Sequence, residues 1–162
     1  MLSNKMLQEL NKQINAELYS AYLYLSMASY FESSNLKGFA HWMKVQAKEE
    51  TNHAMKMYGY VNDRGARVTL TGIANPPVEW PSPAKIFEET YKHEQHVTTL
   101  IHNLVKLADS ENDYATKEFL QWFVKEQVEE EASADEIRQQ LKMIGESGGA
   151  LLMLDKQLKK RE

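Results

Sequence analysis

Four glutamates and one histidine occupy positions that a helical bundle would bury. Four stretches of the chain repeat apolar residues at alternating three- and four-residue spacing, the pattern of a bundle seam. Each stripe is interrupted near its middle by polar groups. Glu17 stands between Ile14 and Ala21, and Glu50 with His53 between Gln46 and Met57. Glu94 stands between Thr90 and Val97, and Gln127 with Glu130 between Phe123 and Ala134. An ionised carboxylate in an apolar layer costs many kcal/mol, and neighbouring like charges raise that cost. No Lys or Arg occupies these seam positions. The carboxylates must therefore be protonated or share the layer with cations. Oxygen donors with one imidazole suit iron or manganese, with zinc as a competitor, and two divalent ions would balance four carboxylates. A lone Glu-x-x-His is ordinarily a solvated surface pair; five such residues at one height in four helices form a constellation.

The register supports that reading. Glu17 and Glu94, Glu49 and Glu126, Glu50 and Gln127, and His53 and Glu130 are each 77 positions apart. The two halves thus read as diverged copies of one hairpin, with their polar residues at matching heights. All four prolines fall between Pro76 and Pro83, and residues 84–144 contain neither Gly nor Pro. This punctuation predicts helices over about 4–33, 38–64, 83–110, 113–144 and 149–158 in one domain spanning 1–162. Each long helix would span about 40–45 Å at 1.5 Å per residue. Loops longer than about 15 residues are uncommon in compact domains. The connection over about 65–82 is explained if it crosses from one end of the bundle to the other, leaving the second and third helices parallel.

The composition excludes several classes. With 19 Lys and Arg against 23 Asp and Glu, the net charge of −4 argues against nucleic acid or an anionic membrane as partner. The absence of cysteine removes disulfides, thiolate metal sites and a thiol nucleophile. No apolar run approaches the roughly 20 residues of a membrane helix, and Met1-Leu-Ser-Asn does not begin like a secretory signal, so a cytoplasmic location is expected.

One Glu from each of two helices, with Glu-x-x-His from another, resembles the ferritin-like carboxylate proteins. The sequence is identified more closely as similar to the non-haem ferritins of bacteria and archaea. The matching segments are Glu17-Leu-Tyr-Ser-Ala-Tyr-Leu-Tyr24, Gly38-Phe-Ala-His-Trp42, Glu49-Glu-Thr-Asn-His53, Tyr91-Lys-His-Glu94, Phe119-Leu-Gln-Trp122 and Glu126-Gln-Val-Glu-Glu-Glu131. The implied fold is an all-α, ferritin-like four-helix bundle with a long crossover between the second and third helices and a short fifth helix. The resemblance implies one iron on Glu17, Glu50 and His53, and a second on Glu50, Glu94 and Glu130, with Glu50 bridging. Gln127 is then a nearby hydrogen-bonding residue, and Tyr24 a site-adjacent tyrosine that donates a hydrogen bond or an electron. A third iron site matches Glu49, Glu126, Glu129 and Glu130.

Two departures narrow the resemblance. The fourth helix carries Gln127-Val-Glu-Glu130 where bacterioferritins and rubrerythrins carry a second Glu-x-x-His. Thr51 stands where bacterioferritins place a haem-ligating Met, so no haem is expected. The implied function is iron storage with ferroxidase activity. Fe(II) would be oxidised by O2 or H2O2 and kept as ferric oxyhydroxide in a shell of 24 subunits, with an unknown reductant for release. The alternative is a non-storing, rubrerythrin-like di-iron oxidase or peroxidase. The apolar Leu151-Leu-Met-Leu154 marks the fifth helix as an assembly element. His93 and His96, flanking Glu94, are expected to support the site or lie at the surface.

Overall fold

A computed structural model describes residues 1–162. It contains five helices and no strand: α1 (Asn4–Ser33), α2 (Lys37–Asp63), α3 (Pro83–Ser110), α4 (Tyr114–Ile144) and α5 (Gly148–Leu158). Local chemistry explains most of these boundaries. The side chains of Ser3, Ser82, Asp113 and Ser147 accept hydrogen bonds from the first turns of α1, α3, α4 and α5, and Pro83 opens α3. Both hairpin turns close alike. Asn35 and Asn112, again 77 positions apart, adopt left-handed backbone conformations with φ of 59° and 55°. In each turn the next residue donates back to the helix, Leu36 N to Phe31 O and Asp113 N to Ala108 O. Asn is one of the few residues besides Gly that tolerates this geometry at a helix end.

α1 packs against α2, and α3 against α4. The two hairpins meet along α1 and α3, where Ser3 contacts Glu111 and Tyr24 contacts Glu94. Low numbers on α1 therefore face high numbers on α3, so α1 and α3 are antiparallel and α2 runs parallel to α3. The 64–82 connection makes this possible by climbing the outside of α1. Thr69 N donates to Asn11, Asn15 donates to the Thr71 and Gly72 carbonyls, and Ser26 donates to Pro77 O.

The core is divided. One cluster, around Phe31, Phe39, Trp42, Phe87 and Leu141, fills the end nearest α5. Another, around Leu10, Met57, Ile101, Leu120 and Phe123, fills the opposite end. No Cα of α2 comes within 8 Å of a Cα of α4. Long polar side chains span that gap in the layer between the clusters.

α2 begins at Lys37, and its N-cap Leu36 makes no side-chain capping bond. Its cap comes from α5 instead: Gly38 N and Phe39 N donate to Asp155 Oδ1 at 2.8 and 3.0 Å. The approach requires glycine, because a Cβ on residue 38 would fall 1.6 Å from the Asp155 carbonyl oxygen. Gly38→Ala is therefore expected to push α5 off α2 and lower stability by about 1–3 kcal/mol. Denaturant unfolding measures this, and an unchanged midpoint would mean that α5 adjusts without cost.

Candidate metal centre

The polar layer assembles from the middles of the four long helices. Helical spacing alone explains the local geometry: residues three or four apart share a face. Glu50 and His53 thus meet within α2, with His53 Nδ1 3.2 Å from Glu50 Oε2. Glu17 reaches them from α1, its Oε2 3.9 Å from the same nitrogen. On the other side of the imidazole, Nε2 lies 3.7 Å from Glu126 Oε1 and 4.0 Å from Glu130 Oε1. Glu17, Glu50 and Glu94 are each 1% exposed, His53 is 4% and Glu130 5%, so bulk water does not solvate these charges.

Three sets of side chains bring ligand atoms within 4.8 Å of one another: Glu17, Glu50 and His53; Glu50, Glu94 and Glu130; and His53, Glu126 and Glu130. Glu50 belongs to the first two. Glu49 and Glu129 belong to none. Glu49 is half-buried and paired with Arg161, while Glu129 is exposed.

Amides and a phenol hold the carboxylates. Gln13 Nε2 donates to Glu17 Oε1 at 2.9 Å. Gln46 Nε2 donates to Glu50 Oε1 at 3.2 Å and to Glu130 Oε2. Gln127 Nε2 donates to Glu94 Oε2, the Glu94 carbonyl and Thr98 Oγ1, each at 3.2 Å. The Tyr24 hydroxyl donates to Glu94 Oε1. Glu17 Oε2 alone is a buried side-chain oxygen with no hydrogen-bond partner.

Burial sets the protonation of this layer, and the carboxylates reinforce one another. Burial first, then the charges of Glu94, Glu17 and Glu130, hold Glu50 well above the usual carboxylate range. Burial pushes Glu94 up to about 7, against the lowering effect of the Tyr24 and Gln127 hydrogen bonds. Burial and then Glu94 push Glu130 up to about 8, against Gln46. Tyr24, wholly buried beside Glu94 and Glu50, is raised well above its ordinary value and keeps its proton.

The donor set fits a divalent cation. Glu17 Oε2 has no hydrogen-bond partner and faces the same imidazole nitrogen as Glu50 Oε2, so either the proton held on Glu50 or a cation can serve it. The chemistry of the set, carboxylate oxygens with one imidazole, is that of iron, manganese or zinc.

Sequence reading missed the amides of Gln13 and Gln46. Their signal was present, since each sits four residues before a ligand-type Glu, at Gln13/Glu17 and Gln46/Glu50. It also missed Arg161, for which local sequence carries no signal. His93 is half-buried. Ser20 Oγ lies 3.0 Å from the Ala16 carbonyl oxygen and 2.8 Å from His93 Nε2. Its ring lies edge-on to Tyr24, while His96 is exposed.

This bundle and this carboxylate layer define a ferritin-like protein. Residues 7–144 match the family described as Ferritin-like domain, and the chain belongs to that family. It is 44% identical over 161 residues to the bacterial non-heme ferritin of Bacteroides fragilis, covering 99% of this chain and 100% of that protein. It is 40% identical over 158 residues to that of Staphylococcus aureus, covering 98% and 95%. Among solved structures, an open pore ferritin from the archaeon Archaeoglobus fulgidus superposes with a TM-score of 0.99 at 58% identity, over the full length of both chains. Family membership supports a role in iron storage.

Proposed function

We propose that the chain is the subunit of a cytoplasmic storage ferritin that takes Fe(II) as substrate and oxidises it. One Fe(II) is taken by Glu17, Glu50 and His53, and a second by Glu50, Glu94 and Glu130. O2, or H2O2 in its place, accepts one electron from each iron, and the product moves on to a ferric oxyhydroxide store inside a shell of 24 identical subunits. A third iron is held by Glu49, Glu126, Glu129 and Glu130. No haem takes part, and no helix is long and apolar enough to cross a membrane. The observation that carries this reading is Glu17 Oε2: a buried carboxylate oxygen with no partner, facing Glu50 and His53.

The protein's own contributions are proton control and spacing. When Fe(II) enters, the protons that burial places on Glu50, Glu94 and Glu130 must leave. The fixed amides of Gln13, Gln46 and Gln127 then orient the freed carboxylates. Tyr24 stays protonated beside Glu94, donating to one oxygen and leaving the other to Gln127. Tyr24→Phe removes that donor without changing the ligand set, and is expected to slow iron oxidation by about tenfold, the lower range for losing an outer partner of a ligand. Stopped-flow absorbance after mixing with Fe(II) measures it. An unchanged rate would leave Tyr24 a packing residue.

The deciding experiment is aerobic Fe(II) loading of metal-free protein followed by gel filtration. A particle near 450 kDa, from 24 chains of 18.7 kDa, with tens of irons per chain is expected. A plateau near two or three irons per chain in a small oligomer would replace storage with a non-storing oxidase. No retained iron would end the metal reading.

A further inference from the structure

Beyond the end of α5 the chain turns back onto α2, and the guanidinium of Arg161 comes to rest beside the carboxylate layer. Its position is fixed on several sides. The Arg161 carbonyl accepts a hydrogen bond from His41 Nε2, and Nη1 donates to the Trp42 carbonyl at 3.1 Å. The guanidinium stacks over the Trp42 ring, 4.3 Å from its centre. Nη2 donates at 2.9 Å both to Glu49 Oε2 and to Gln46 Oε1.

The bond to Gln46 decides which way a buried amide points. Arginine offers only donors, so it must face the carbonyl oxygen of Gln46. Nε2 is thereby turned inward, and its two hydrogens go to Glu50 Oε1 and Glu130 Oε2. Each carboxylate has one oxygen tied and the other released toward the imidazole: Glu50 Oε2 lies 3.2 Å from His53 Nδ1, and Glu130 Oε1 lies 4.0 Å from His53 Nε2. Gln46 is 1% exposed, so no water competes for either end of the amide. Without Arg161 the amide could flip, placing its oxygen against two carboxylates.

We propose that Arg161 is a positioning residue of the metal centre, acting through Gln46 to tie one oxygen of Glu50 and one of Glu130 and hold their free oxygens inward, toward His53. The inference rests on the reading of this layer as a two-metal site. It assigns Arg161 a graded effect: the second set takes two of its three ligands, Glu50 and Glu130, from the partners of Gln46, whereas the first takes only Glu50 and also has Glu17, held by Gln13, and His53.

The test is an anaerobic titration of metal-free protein with Co(II), read over the two tightest stepwise binding constants, those of the two buried sets, without redox chemistry; weaker binding at the half-exposed third group is fitted separately. Arg161→Ala is expected to weaken the second constant by about tenfold, the size of effect found when an outer partner of a ligand is removed, while the first stays within about twofold. Gln46→Ala should do the same, and the double variant should be no weaker than Gln46→Ala alone, because both act through one amide. Arg161 lies outside α5, which remains docked through Asp155, so unchanged helical circular dichroism is expected of Arg161→Ala. Equal weakening of both constants, no weakening, or effects that multiply in the double variant would overturn the inference. A wild-type chain that binds no Co(II) would overturn it together with the two-metal reading, and the two failures are therefore distinguishable.

Discussion

Replacing Glu50 by Gln is expected to lower the rate of iron oxidation by more than about 100-fold, beyond the range for losing an outer partner of a ligand, while making the metal-free protein more stable. Both effects follow from one position. Glu50 is the only residue common to the sets Glu17–Glu50–His53 and Glu50–Glu94–Glu130, so its loss removes a ligand from both cations at once. Its carboxyl is also the group that Glu94, Glu17 and Glu130 together oppose in the absence of metal. An amide of the same shape carries no charge into that layer, and relief on the order of 1 kcal/mol or more is expected near pH 8. Glu136→Gln is the control, since Glu136 is exposed, outside all three sets and not among the third-iron residues. Stopped-flow oxidation and calorimetric melting of the metal-free variants separate the outcomes. A Glu50→Gln protein that melts below wild type, or oxidises iron at a similar rate, would show that Glu50 is held for packing rather than for a cation.

That opposition between stability and binding is also why so much of the site is legible in the sequence. A bundle seam selects apolar residues, so each carboxylate in it has to be justified by something other than folding. The 77-position offset that aligns Glu17 with Glu94 and His53 with Glu130 extends to the turns, where Asn35 and Asn112 adopt the same left-handed geometry. The bundle, its crossover and its short fifth helix follow from periodicity and breakers, and the solved ferritins share them. Contacts between distant parts of the chain were not legible. Leu36 is a poor cap by any local rule, and only the docking of α5 brings Asp155 to the bare N-terminus of α2. Arg161 looks like one more charge in Lys159-Lys-Arg161 until the fold carries it to Gln46. The ion pair of Glu49 with that guanidinium was equally hidden, since register matches Glu49 only with Glu126. Periodicity reports which face a residue occupies, and what meets that face depends on the tertiary path.

The metal-free protein is expected to lose stability as pH rises from about 6.5 to 8, and bound divalent metal is expected to cancel that loss. For a carboxyl whose folded pKa lies above its unfolded value near 4.5, the folded state keeps a proton that the unfolded state has released. The benefit is complete below about 4.5 and disappears as pH passes the folded value, about 7 for Glu94 and about 8 for Glu130. Glu50 shifts in the same direction. His93, lowered to about 4 chiefly by burial, acts oppositely but only below its unfolded value near 6.5. Glu32, lowered to about 2 by Lys37 and Lys44, acts below 4.5. The interval from 6.5 to 8 therefore isolates the buried carboxylates. Each can contribute up to about 1.4 kcal/mol per pH unit, and because they share one layer their sum is of order 3 kcal/mol. In a chain of this length that corresponds to a fall in melting temperature of about 5–10 °C. A divalent cation reverses the requirement, because it binds the ionised carboxylates and gains affinity as they lose protons. Melting with and without Co(II) at both pH values, on wild type and Glu50→Gln, tests the whole account. The fall should be clear in metal-free wild type, smaller in metal-free Glu50→Gln and absent in the loaded wild type. A metal-free melting temperature that is flat or rises across this interval would mean that the layer is already ionised and solvated, and would overturn this account.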